Sequence, residues 1–372
     1  MRSQQLKALR LQGFKNYRDS QFEFSPKLNC ILGQNGMGKT NLLDAIHLLC
    51  LGKSNFVSRD RYLIGFEADF FRLQAQFERG EESEEIVVKA AKGKRKTFER
   101  NRLPYERLAD HVGRYPLVII APDDNKLILE GSELRRRFMD LSLSQESPNY
   151  LHQLMQYNKL IKQRNALLKS VDYPAQPDPI LLDSYDQQLL EPAQAIVSAR
   201  KKFIEELQPV FQQVYAQLSK GQEEVSLRYS SPLLEQNFAE LLRENRRKDI
   251  QFQRSTVGPH KDDLVFGMKG QTLKQFASQG QLKSYLLALK LAQYQALKDS
   301  SQKLPILLLD DIFDKLDAQR LGQLLELLMG PAFGQVFISD AHENRLLELL
   351  QKLPKAVDFK LFLIENGAIK AG

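Results

Sequence analysis

The sequence predicts an α/β fold: a sheet-based head interrupted by an all-α insert. Three observations carry that prediction. A Gly-rich loop over residues 33–40 stands between a short apolar run, residues 28–32, and a segment of helical spacing that begins at Asn41. Far downstream, a second apolar run over residues 304–309 ends in two adjacent carboxylates, Asp310 and Asp311. Between them, residues 150–218 repeat apolar side chains at helical spacing. The expected division is a head made of residues 1–140 and 251–372, with residues 141–250 as the insert.

Taken in order, residues 6–24 set Leu6, Leu9, Leu11, Phe14, Phe22 and Phe24 among polar neighbours, which predicts two short strands joined around Asn16. They lead into the run at 28–32 and then the loop itself: Gly33, Gln34, Asn35, Gly36, Met37, Gly38, Lys39 and Thr40. Strand, GxxxxGKT and helix is the order that a phosphate-binding loop requires. Its glycines let the backbone curl so that successive N–H groups face one anion, and the helix N-terminus adds its positive end. Lys39 is placed to reach the β- and γ-phosphates of a nucleoside triphosphate and the Thr40 hydroxyl to ligate Mg²⁺, with Asn41 completing the binding segment.

Residues 70–77 and 85–90 alternate as strands, followed by Lys92, Lys94, Arg95, Lys96, Arg100 and Arg102. A β-hairpin with a basic tip fits this stretch, and Lys94, Arg95 and Lys96 are candidates for DNA-backbone contact or a solvated turn. Residues 117–121 read as another buried strand, and Ser132 as the cap of a helix carrying Arg135, Arg136 and Arg137. Three consecutive arginines cannot share one helix face, so at least one packs or pairs internally. Arg135 and Arg136 remain candidates for nucleic-acid contact.

Residues 150–169 form an amphipathic pattern that a proline-rich stretch at 173–179 ends. A second helical pattern over 180–218 contains Pro192 and Pro209, which predicts a kink or a division there. An out-and-back arm and a compact helical subdomain both fit, and both are all-α. The head resumes near Arg254 with a polar turn at 258–263 and a hairpin at 267–270. A strongly amphipathic helix then opens at Ser278, Gln279, Gly280 and Gln281, where the Ser278 hydroxyl and the following N–H groups are available to an anion. At the end of the run 304–309, Asp310 is placed to hold Mg²⁺ near Thr40, and Asp311 to orient or deprotonate an attacking water. A last strand over 335–339 precedes Asp340 and His342.

Composition narrows the class. A chain of 372 residues with 42% hydrophobic and 27% charged residues reads as an ordinary soluble globular protein. No apolar run has the length of a membrane helix, and no secretory signal is visible at the N-terminus, so a cytoplasmic protein without a membrane partner is expected. The two cysteines, Cys30 and Cys50, sit in apolar surroundings and read as buried small hydrophobes of a reduced compartment. The net charge is +7, and residues 1–140 hold most of the excess, with 25 Lys+Arg against 19 Asp+Glu. A modest basic excess fits a nucleic-acid partner without establishing one.

Together the phosphate loop, the Ser278-Gln-Gly-Gln segment and the LLLDD run followed by Lys315-Leu-Asp resemble an ABC-type ATPase head of the SMC and RecF group. The fuller resemblance is to the RecF family. Gly13-Phe-Lys-Asn-Tyr, Asn41-Leu-Leu-Asp-Ala-Ile, Ala121-Pro-Asp-Asp, Arg135-Arg-Arg-Phe-Met-Asp, Lys162-Gln-Arg-Asn and Gly258-Pro-His-Lys-Asp-Asp-Leu match its motifs in order across nearly the whole chain. The resemblance implies an SMC-like ATPase head with a short helical arm, and a homodimer in which two heads sandwich two nucleotides. Ser278, Gln279, Gly280 and Gln281 of one protomer would then cap the γ-phosphate held at Lys39 of the other. It also implies binding to DNA at gaps or single-strand/double-strand junctions, loading of the recombinase with RecO and RecR, and a weak ATPase that serves as a switch. Asp311 stands where transporter ATPases usually carry Glu, and the shorter carboxylate fits slow hydrolysis. Asp340 aligns better than His342 with the switch histidine of ABC ATPases.

Other classes fit less well. A transporter ATPase subunit or a structural DNA-clamping ATPase shares the head motifs, but the transporter reading leaves the insert unexplained. A nuclease-complex subunit needs a coiled coil much longer than residues 150–250 allow at about 1.5 Å per residue. A kinase has no use for the Ser278 segment.

Overall fold

Two patterns of apolar residues build two different sheets in the first part of this computed structural model, which describes residues 4–219, 223–311, 318–342 and 358–370. The chain divides into two units, residues 1–124 with 289–372, and residues 125–288. In chain order the first unit starts with strands β1 (Gln4–Phe14), β2 (Tyr17–Glu23) and β3 (Leu28–Leu32), then helix α1 (Lys39–Leu51). Strands β4 (Phe70–Arg79), β5 (Glu82–Ala91), β6 (Thr97–Arg100), β7 (Leu103–Pro104) and β8 (Leu117–Ile120) follow. The second unit contains α2 (Asn125–Leu129), α3 (Ser132–Glu146), α4 (Pro148–Leu168), α5 (Pro179–Ser219), β9 (Val225–Ser230) and α6 (Phe238–Phe252). It continues through β10 (Asp263–Met268), β11 (Gln271–Thr272) and the one-turn α7 (Leu273–Phe276). The division between units falls within α8 (Gln279–Ser301), and β12 (Ile306–Leu309), α9 (Ala318–Met329), β13 (Val336–Asp340), β14 (Phe359–Glu365) and β15 (Ala368–Ile369) return to the first.

Alternating strands form an antiparallel sheet in the order β2-β1-β4-β5-β6-β7. In β4 every second residue is buried, so one face packs and the other is solvated. The second sheet has the order β15-β14-β3-β13-β12-β8, and from β14 to β8 every pairing is parallel. Its central strands β3, β12 and β13 are buried at every position, as expected for a parallel sheet covered on both faces. Phe22 of β2 and Phe24 just after it stack on each other and meet Phe362 of β14 edge-on, joining the two sheets through aromatic packing. Gln335 adds a polar tie, with its amide donating to Leu6 O and Ser25 O at 2.8 Å and accepting from Leu6 N–H at 2.8 Å. Cys30 and Cys50 are free and buried, and burial pushes the Cys30 thiol up to about 12.

The second unit departs from the expected all-α insert over residues 141–250. Strand β9 lies inside that range and pairs antiparallel with β10 in a three-stranded sheet. Val225, Leu227 and Tyr229 alternate with exposed residues, a period-two pattern too short to stand out beside the long helices. The compact units also divide at 124/125 and 288/289 rather than at the expected head–insert boundaries. Helix α5 runs undivided through Pro192 and Pro209. Its buried residues Leu189, Pro192, Ala193, Ile196 and Val197 supply packing that outweighs the missing proline donor. Ser132 is the first helical residue of α3, one position inside the cap at Gly131.

Around α4 and α5 the polar core is as specific as the apolar one. Arg164, fully buried, donates to Asp186 at 2.6 Å, to Asp249 at 2.7 Å and to Ser255 at 2.8 Å. Arg200 spans Asp140 at 2.8 Å, Pro259 O at 2.8 Å and Asp262 at 3.3 Å. The Gly258-Pro-His segment is held by His260, whose Nδ1 lies 2.7 Å from the Tyr157 hydroxyl and Nε2 3.1 Å from Ser255 O. Burial lowers His260 to about 4, so it stays neutral and bridges both partners.

Candidate nucleotide-binding site

The phosphate loop leaves β3 and enters α1 with Gly33, Gly36 and Gly38 all at positive φ. Two of these are forced by contact as well as by conformation. A Cβ on Gly33 would stand 2.3 Å from Ile364 O, and one on Gly38 2.7 Å from the Asn16 side chain. Lys39 is buried, and its ammonium donates back to Gly33 O at 2.8 Å, Gln34 O at 3.2 Å and Asn35 Oδ1 at 3.4 Å. The cation therefore lies over the loop that its own backbone forms. Met37, at the turn of the loop, is held from both sides: its carbonyl accepts from Asn16 Nδ2 at 2.9 Å and from Gly367 N–H at 2.9 Å.

Asp310 stands at the end of β12, one strand away from β3 across β13. The Thr40 hydroxyl lies 3.1 and 3.0 Å from its two carboxylate oxygens. A hydroxyl and a carboxylate offer the hard oxygen donors that suit Mg²⁺, which takes one or two carboxylates and keeps several waters. Burial raises the Asp310 pKa above the ordinary carboxylate value. Hydrogen bonds from Ser339 and Thr40 and the charge of Lys39 oppose that rise, while the Asp311 charge adds to it. Ser339 on β13 donates to Asp310 at 2.7 Å and accepts from Asp311 N–H at 3.0 Å, so one hydroxyl orients both carboxylate residues. Asp311 adopts a left-handed backbone with φ 44°, which turns the chain away from the strand direction. Asp340 is buried at the end of β13 and accepts from His342 N–H at 3.0 Å. Lys315 and Asp317 lie outside the described residues.

In the second unit, Ser278 precedes α8 in a reciprocal cap: Ser278 N–H donates to Gln281 Oε1 at 2.7 Å, and Ser278 Oγ accepts from Gln281 N–H at 3.3 Å. Ser278, Gln279 and Gly280 are exposed. The motif that the sequence places at a helix start is there, capped and facing solvent.

The nucleic-acid candidates fare differently from one another. Lys94 and Arg95 are exposed in the turn between β5 and β6. Lys96 is drawn inward, donating to Gly52 O at 2.9 Å and Asp60 at 2.8 Å. Arg135 makes a bidentate pair with Asp263 at 2.6 and 3.0 Å and donates to Glu130 O at 2.7 Å. Arg136 donates to Ser132 Oγ at 2.6 Å and Asp262 O at 2.7 Å. Both guanidinium groups are engaged by their own unit, and Arg137 is the exposed member of the trio.

A family model described as the RecF/RecN/SMC N terminal domain matches residues 5–359. The chain is 45% identical over 340 residues to the DNA replication and repair protein RecF of Flavobacterium johnsoniae, covering 91% of this chain and 95% of the relative. It is 42% identical over 365 residues to the RecF of Bacteroides thetaiotaomicron, covering 98% of each.

The chain belongs to the RecF family.

Among solved structures, the recombination mediator protein RecF-ATP in the RecFOR pathway superposes with a TM-score of 0.88 at 27% identity, covering 99% of this chain and 97% of that one. An Smc head bound to the C-winged helix domain of ScpA shares the fold, with a TM-score of 0.57 at 18% identity, covering 98% of this chain and 96% of that one. No helix among the described residues is long and apolar enough to cross a membrane.

Three residues of the site are not evident from local sequence. Asn16 braces Met37 and also accepts from Asn41 Nδ2 at 2.8 Å. Asp44, buried in α1, accepts from Lys15 at 2.6 Å, Ser54 at 2.7 Å and Asn55 N–H at 2.9 Å, fixing the segment after the helix. Ser339 is the third. The short motif around Asn16 and the acidic position in an apolar helix were the available signals; for Ser339 there was none beyond its place at a strand end.

Proposed function

We propose that this chain is an ATP-dependent DNA-binding protein of replication and recombinational repair, which dimerises on ATP and acts at single-strand/double-strand junctions with RecO and RecR. The observation that carries the reading is the meeting of Thr40 with Asp310 beside Lys39 at the ends of buried parallel strands. Strand ends of this kind are where α/β sheets bind their ligands. Lys39 and the loop N–H groups bind the phosphates, and Thr40 and Asp310 would hold Mg²⁺, which would neutralise charge on the phosphate oxygens. Asp311 orients or deprotonates the attacking water. Hydrolysis is slow and works as a switch.

In this reading the exposed N-terminus of α8 meets the γ-phosphate held by the partner protomer, so that ATP joins two heads and ADP releases them. Ser278→Arg places a long side chain in that gap and blocks dimerisation, while Lys39 and Thr40 still bind ATP in each monomer. Sedimentation of wild type and Ser278→Arg with ATP and Mg²⁺, alongside a nucleotide-binding assay, tests this. An ATP-induced dimer that persists in Ser278→Arg rules out the sandwich.

A further inference from the structure

The first unit carries a cluster of exposed aromatic and cationic side chains that the nucleotide site does not use. Phe66 is fully exposed, and Tyr62 and Phe70 are about half-exposed, at 55% and 54%. All three lie on residues 59–70, a segment that also supplies Arg59 and Arg61. The basic turn at 92–96 is tied to this segment: Lys96 donates to Asp60 at 2.8 Å, Lys92 to Asp69 at 3.1 Å, and Lys92 N–H to Asp69 O at 3.0 Å. Two stretches distant in sequence thus make one surface.

Its charge is one-sided. Residues 59–70 and 92–96 contain six cations (Arg59, Arg61, Lys92, Lys94, Arg95, Lys96) and three carboxylates (Asp60, Glu67, Asp69). Each carboxylate is already paired, with Lys96, Arg18 and Lys92 respectively. Arg59, Lys94 and Arg95 have no ion pair among the described residues. The Tyr62 ring is braced, with the Arg61 guanidinium 4.7 Å from its centroid and Arg61 Nη2 donating to its hydroxyl at 2.6 Å. A braced ring loses little freedom when a ligand stacks on it.

Unpaired cations on the same surface as exposed aromatic rings suit a strand whose phosphates are reachable and whose bases are free to stack. Duplex DNA satisfies the cations but keeps its bases stacked on one another. A protein partner has no reason to leave three cations unmatched. We propose that this surface, built on Tyr62 and Phe66 and flanked by Arg59, Lys94 and Arg95, holds unpaired bases of single-stranded DNA next to a duplex. The proposal rests on the DNA-binding reading above and adds to it where the single strand lies and that it is held by stacking.

The chain contains no tryptophan, so one substitution creates a unique reporter. Phe66→Trp alters a fully exposed side chain and leaves the core intact. With ATP and Mg²⁺ present, a duplex with an oligothymidine tail should quench its tryptophan emission, and the blunt duplex should not. Tyr62→Ala with Phe66→Ala should weaken binding of the tailed duplex at least about tenfold, with blunt-duplex affinity unchanged within twofold. Tyr62→Phe should retain wild-type affinity. Tryptophan emission that stays unchanged while anisotropy shows the tailed DNA bound overturns the proposal and leaves the DNA-binding reading standing. Emission that responds only to an added pathway protein also overturns it, in favour of a protein-docking surface. Failure of the wild type to bind any DNA removes the DNA-binding reading itself, and with it the proposal.

Discussion

Asp310→Asn should stabilise the nucleotide-free, metal-free protein at neutral pH while removing its Mg²⁺-dependent nucleotide binding. Asp310 is almost fully buried and accepts hydrogen bonds from Thr40 and Ser339. Burying an ionised carboxylate costs several kcal/mol after relaxation. Two charge-assisted hydrogen bonds return about 1.5–3 kcal/mol each, and the raised pKa says that they do not cover the cost. Asparagine has the same shape and keeps an acceptor for Ser339. The gain should therefore be on the order of 1 kcal/mol, or about 1–2 °C in melting temperature for a chain of 372 residues. The pH dependence carries the sign. A carboxyl group whose folded pKa is raised stabilises the fold fully below its unfolded value of about 3.8, and that contribution is lost as pH rises through the folded value. The advantage of Asp310→Asn should therefore be present at neutral pH and vanish at acid pH, where Asp310 is protonated in both states. Differential scanning fluorimetry of both proteins in chelator across that range is the assay. A variant that melts lower than the parent at neutral pH refutes the reasoning, and a gain unchanged at acid pH assigns it to something other than charge.

Lys39→Ala should abolish tight ATP binding while the circular dichroism spectrum stays that of the parent; normal ATP affinity would remove the phosphate-loop assignment. Asp311→Asn should slow hydrolysis and prolong the ATP-dependent dimer, checked by phosphate release and by light scattering over time, and hydrolysis at the parental rate would exclude a catalytic role. Neutralising the exposed pair Lys94 and Arg95 should reduce the slope of log affinity against log salt by up to about 1.5 for the tailed duplex, whose single strand they flank. An unchanged slope would move those phosphate contacts elsewhere.

The phosphate loop was legible because its chemistry is local. Gly33, Gly36, Gly38, Lys39 and Thr40 lie within eight residues, and the roles expected of them follow from residue type and spacing alone. Asp310 and Asp311 were legible for the same reason, as carboxylates at the end of an apolar strand. The start of α8 was marked by Ser278, and the structure adds only the reciprocal bond to Gln281.

What the tertiary structure decided is which distant groups meet. Thr40 and Asp310 are 270 positions apart, and they reach hydrogen-bond distance because β3 and β12 lie parallel on either side of β13. Strand order is a property of the packed sheet, not of any one strand's periodicity, so Ser339 could not be seen as the residue that holds the Asp310 carboxylate and the Asp311 backbone together. The arginines show the converse. Arg135 and Arg136 read as cations available to DNA, but in the fold Arg135 pairs with Asp263 and Arg136 donates to the Asp262 carbonyl. In β9, Val225, Leu227 and Tyr229 gain their meaning only from pairing with β10, since a six-residue alternation is weak until a partner strand satisfies its backbone. Local spacing specified the chemistry of each segment, and long-range pairing chose the neighbours that hold it, because buried polar groups must find partners wherever the fold brings them.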